Sequence, residues 1–107
     1  MAPVVVCNMN DIIVYMNPSA TKRYKGDLTG RYIKDCHPPK ANQIIEKVVA
    51  WFKEDAGNNV IYTYHSAEEN KDVYMIALRD DDTYLIGYYE KLEYGTRETL
   101  GLYEPKR

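Results

Sequence analysis

Hydrophobic positions change period twice along the chain. Near the start the β-branched run Val4-Val5-Val6-Cys7 is followed by turn-forming Asn8-Met9-Asn10-Asp11 and then by Ile12-Ile13-Val14-Tyr15. Two such runs around a polar turn predict a hairpin. Asn17 then stands as an N-cap before Pro18 at a first helical position, and Gly26 and Gly30 limit that helix to about two turns. Beyond Pro38 and Pro39 the period lengthens. Ala41, Ile44, Ile45, Val48, Val49 and Phe52 share one helix face, while Lys40, Gln43, Glu46, Lys47 and Lys53 form the other. This predicts an amphipathic helix from Lys40 to Glu54, stopped by Gly57-Asn58-Asn59.

Alternation then returns. Val60, Tyr62 and Tyr64 lie on one face of a strand from Val60 to His65, with Ile61, Thr63 and His65 on the other. A polar loop, Ser66 to Asp72, leads to a strand from Val73 to Arg79; Asp80-Asp81-Asp82 is an acidic turn, and Tyr84 to Glu93 is the last strand. The order strand, strand, short helix, long helix and three strands predicts an α/β fold of the α+β kind. Its natural closure is a five-stranded antiparallel sheet with the helices on one face.

The last strands carry apolar or aromatic groups on both faces. Tyr74, Ile76 and Leu78 oppose Val73, Met75 and Ala77, and Tyr84, Ile86 and Tyr88 oppose Leu85 and Tyr89. Helices cover only one face of such a sheet, so the other is expected to meet a second copy or a partner signalling domain; the alternative is a bare face that tyrosine hydroxyls make tolerable to water. Composition sharpens this. Eleven tyrosines stand against one Phe and one Trp, and a phenol suits a half-wet sheet face, because its ring is apolar and its hydroxyl wants water or a partner.

A length of 107 residues predicts a single domain over residues 1–107. Basic and acidic residues number 14 and 16, the net charge is −2, and only Lys106-Arg107 concentrates positive charge, so no nucleic-acid footprint is visible. No apolar run approaches the about 18 residues of a membrane span, and a cytoplasmic location is expected. Two cysteines, Cys7 and Cys36, are too few for a disulfide framework and are expected as thiols.

The stretch "DCHPPK" sets Cys36 beside His37. Sequence neighbours point in different directions, no oxyanion-hole glycine motif adjoins Cys36, and catalysis is not expected. Cys7, Cys36, His37 and His65 lack the paired spacing of a zinc site, and Asp80-Asp81-Asp82 lacks the loop of a calcium site, so no metal ligands are assigned.

The phrases in their order resemble a PAS domain. "IIVYMNPSATKRY" at 12–24 holds the Tyr-x-Asn-x-x-Ala passage at Tyr15, Asn17 and Ala20; "LTGRYIKDCHPP" at 28–39 holds Leu-x-Gly-Arg at Leu28, Gly30 and Arg31. "YMIALRDDDTYLIGYYEKLE" at 74–93 is similar to the family's last two strands. The likeness spans residues 3 to 94, and Asp-Cys-His-Pro-Pro resembles a subgroup often found beside hemerythrin-like domains. Two features depart from the common pattern. Only Met1-Ala2-Pro3 precedes the first strand, and about a dozen residues follow the sheet, so an excised sensor module or a small free-standing protein without its own output domain is expected.

The resemblance implies a sensory or signalling module. A small apolar ligand would sit between the helices and the inner sheet face, against Tyr24, Ile33, His37, Ile44, Val48 and Phe52. The alternative is that these side chains fill a core, leaving a pure protein–protein interaction module. Because the family includes haem sensors, His37 is also an axial-ligand candidate for a redox or gas sensor, although Pro38 and Pro39 hold that segment tightly. The Gly-x-Asn-Cys-Arg-Phe-Leu-Gln-like phrase of flavin photosensors is absent. A homodimer through the outer face completes the expectation.

Overall fold

The computed structural model describes residues 2–94, so Lys106-Arg107 lies outside the described residues. The N-terminal hairpin forms as β1 (Val4–Asn8) and β2 (Ile13–Met16). Asn8 builds its turn, its side-chain oxygen accepting from the backbone N–H groups of Asn10 and Ile12. Asn17 caps α1 (Pro18–Arg23) as expected, accepting from Ala20 N–H at 2.9 Å. The same amide accepts from Val4 N–H at 3.0 Å and donates to the Ala2 carbonyl at 2.8 Å, so one buried side chain ties α1 to β1. A 3₁₀ turn, Ile33–Cys36, precedes α2 (Pro39–Glu54). That helix opens one residue before the expected Lys40, because a proline needs no N–H partner in a first turn.

β3 (Val60–Ser66), β4 (Lys71–Arg79) and β5 (Leu85–Tyr94) complete an antiparallel five-stranded sheet of order β2-β1-β5-β4-β3. β4 starts two residues earlier than its apolar pattern suggests, since Lys71 and Asp72 pair with Tyr94 and Glu93. Two register shifts correct the predicted faces. Between Tyr62 and Tyr64 the ladder slips, so that Tyr64 stands opposite Val73 and simple alternation fails midway along β3. Between Leu78 and Arg79 a second slip separates Tyr88, 1% exposed in the core, from Tyr84 and Ile86, 70% and 54% exposed.

The helices lie over one face of the sheet, and the core between the layers joins Val5, Cys7, Ile13, Ala20, Ile33, Ile45, Val48, Phe52, Met75 and Tyr88. Arg79 closes the far end of α2. Its Nη2 donates to the carbonyls of Phe52, Asp55 and Asn58, its Nη1 to the Thr83 carbonyl, and its Nε to the Asn59 side chain. Gly87 is needed where β5 passes β1, for a Cβ there would collide with the Cys7 carbonyl. No helix among the described residues is long and apolar enough to cross a membrane.

Candidate functional site

A cavity of about 180 Å³ lies between the layers, at the end of the molecule where α1 finishes and α2 begins. Helix-side walls come from Arg23, Tyr24, Cys36, His37, Ala41, Ile44 and Ile45. Strand-side walls come from Thr63 of β3, Lys71, Val73 and Met75 of β4, and Glu90 and Leu92 of β5. The strand residues converge because side chains of one strand recur on a face every second position, and the ladder sets Val73 against Leu92 and Met75 against Glu90. The same alternation carries Lys71 and Glu90 inward, to positions that sheets normally fill with apolar groups. Both are buried, 5% and 7% exposed.

Buried charges require partners. His37 Nε2 stands 3.4 Å from Glu90 Oε1, and His37 Nδ1 stands 3.2 Å from the Ile33 carbonyl oxygen. Two acceptors facing two ring nitrogens are both satisfied only when both nitrogens carry protons. The Glu90 carboxylate accordingly raises the His37 pKa above its ordinary value, against the opposing effects of burial and of the nearby Lys71 charge. Lys71 Nζ has Glu69 Oε1 at 3.5 Å, and Arg23 Nη1 reaches the same oxygen at 2.8 Å and the Tyr94 hydroxyl at 2.7 Å. The site thus holds the His37–Glu90 pair in its floor and the Lys71 and Arg23 cations at its edge.

The opposite face of the sheet carries no helix among the described residues. One row crosses all five strands as Tyr15, Val6, Tyr89, Ile76 and Val60, each opposite the next in the ladder. Beside it run Val4, Lys91, Tyr74 and Tyr62, with the Tyr62 and Tyr74 rings 5.5 Å apart. Tyr15, Val60 and Tyr62 are at least half exposed.

No family model and no curated protein matches this sequence. Solved structures do resemble the fold. A sensory box sensor histidine kinase from Vibrio cholerae aligns with a TM-score of 0.70 at 14% identity, over 90% of this chain and 83% of that one. The PAS domain of the histidine kinase ThkA aligns with a TM-score of 0.65 at 16% identity, over 87% and 99%. The fold is that of a PAS domain. The C-terminal domain of a Streptococcus mutans protein is also similar, with a TM-score of 0.66 at 24% identity, over 94% and 80%.

Within this PAS fold the expected pocket residues divide. Tyr24, His37 and Ile44 line the cavity. Ile33 borders an adjoining void of about 10 Å³, together with Val5, Met16 and Leu28, which has room for no more than about one water. Val48 and Phe52 are core residues instead: they follow Ile44 on the same stripe of α2 but one and two turns further along its axis, beyond the cavity. Arg23, Thr63, Lys71 and Glu90 were not anticipated. The usable signal was a glutamate in phase with Tyr88 and Leu92, both apolar inward positions of β5.

The residues do not fit haem. The cavity is close to the roughly 150 Å³ that accommodates benzene, far below a porphyrin, and both nitrogens of His37 already face acceptors. Cys36 Sγ lies 3.7 Å from the Tyr32 carbonyl while His37 turns to Ile33 and Glu90, so these neighbours form no ion pair. Both cysteines are free thiols, and burial pushes the Cys7 thiol up to about 12.

Proposed function

We propose that the chain is a cytoplasmic sensory or signalling PAS module, which binds a small molecule in the cavity beside His37 and Glu90 and docks through its outer sheet face as a homodimer. Binding, not catalysis, is its task. The carrying observation is the cavity itself, in which charged groups buried at inward strand positions converge on an apolar wall. The phrase Asp35-Cys36-His37-Pro38-Pro39 supports grouping it with PAS modules that accompany hemerythrin-like domains.

Alternation supplies the transmission. Along β5 the inward Glu90 and Leu92 interleave with Tyr89 and Lys91 of the outer face, and along β4 Val73 and Met75 interleave with Tyr74 and Ile76. A ligand that shifts the inner residues therefore shifts the docking row, a change of population between sheet geometries. Native mass spectrometry of the purified protein tests the reading. A dimer mass with a small molecule retained per protomer is expected; a bare monomer at high concentration would sink it.

A further inference from the structure

On the reading that the cavity is a ligand site, we propose that its ligand is a small monocarboxylate with a compact apolar body. The carboxylate is held by Lys71 and Arg23, and the body rests on Ile44, Val73 and Met75. Charge balance leads there. Glu90 is committed to His37 at 3.4 Å, which leaves the other two cations to be matched. The Lys71 side chain is only 6% exposed, yet its one carboxylate partner among the described residues is Glu69, 3.5 Å away and 42% exposed. Arg23 leans on the same Glu69 oxygen at 2.8 Å, and its Nε–H is buried without a partner among the described residues. One half-exposed carboxylate thus serves two cations, and an ammonium has three protons to place. A second carboxylate, arriving with the ligand, completes the set.

The remainder of the ligand follows from the far wall. Ile44, Val73 and Met75 offer nothing to a polar group, so a bare inorganic anion leaves that wall unfilled. A volume of about 180 Å³ suits roughly a benzene ring with one substituent. A cationic ligand meets Lys71 and Arg23 and is repelled.

Benzoate, benzamide, benzylamine and inorganic phosphate separate these features, because they share size or charge but not both. Each is titrated into the full chain while amide correlation spectra are recorded. Benzoate is expected to shift Lys71, Val73 and Met75 saturably and to bind about tenfold or more tighter than the other three, the usual return of charge-assisted hydrogen bonds. Lys71→Met keeps the length of the side chain and removes the charge, and is expected to erase the preference over benzamide. Unchanged benzoate affinity in that variant overturns the role of Lys71. Benzamide or benzylamine binding as tightly as benzoate overturns the carboxylate assignment but leaves the cavity a ligand site. Phosphate matching benzoate overturns the apolar half, and no shift at the cavity with any of the four overturns both readings. Should Lys71→Met fail to fold, the wild-type series decides alone.

Discussion

Stability should fall as pH rises through the titration of His37, and Glu90→Gln should remove that fall. In the folded chain the imidazolium is held by Glu90 at 3.4 Å and by the Ile33 carbonyl at 3.2 Å, and its pKa is raised above the ordinary 6.5. A raised folded pKa means that the stabilisation is complete below 6.5 and is lost as pH climbs through the higher folded value. A hydrogen bond to a charged group contributes about 1.5–3 kcal/mol. Neutral His37 retains one donor, and its side chain is 16% exposed, so we expect about 1–2 kcal/mol to disappear between mildly acidic and alkaline pH. For a domain of this size that is about 4–8 °C in Tm per kcal/mol. Urea unfolding across this range, on wild type, Glu90→Gln and His37→Gln, isolates the pair. Both variants should show the slope flattened, since each lacks one half of the linkage. An undiminished slope in Glu90→Gln would refute the reasoning.

Other consequences are local and can be read by the same unfolding assay. Asn17→Ala removes the α1 cap and two ties to the N-terminal strand, and should cost about 2–3 kcal/mol. Arg79→Met strips the carbonyl acceptors at the end of α2 of their shared donor and should cost about 2 kcal/mol, whereas the exposed Lys53→Met should be near neutral. Gly87→Ala should cost about 1–3 kcal/mol by forcing β5 away from the Cys7 carbonyl. On the outer face, Ile76→Glu places a charge mid-row between Tyr89 and Val60 and should shift sedimentation from dimer to monomer while leaving the melting curve of the protomer in place.

The helices and hairpins were legible because their signals are local. Asn17 before Pro18 needs only its own neighbours, and the stripe from Ala41 to Phe52 follows from helical spacing alone. Depth along that stripe was not legible. Periodicity assigns Ile44, Val48 and Phe52 to one face of α2 but not to a cavity or to the core, a distinction set by the strands beneath. The site's charges were hidden for a related reason. Lys71 reads as loop until its pairing with Tyr94 extends β4, and Glu90 reads as a solvent position until the phase of Tyr88 and Leu92 turns it inward. The slip at Leu78 and Arg79 could not be seen either, since it depends on how two strands meet.

The central claim is that the cavity and the outer face are coupled through β4 and β5. The most direct measurement is the dimer dissociation constant, by sedimentation equilibrium, without ligand and at saturating benzoate. The account predicts a change of about fivefold or more, in the range typical of linked sites. A constant that stays the same while benzoate is seen in the cavity would contradict it, as would a chain that remains monomeric throughout.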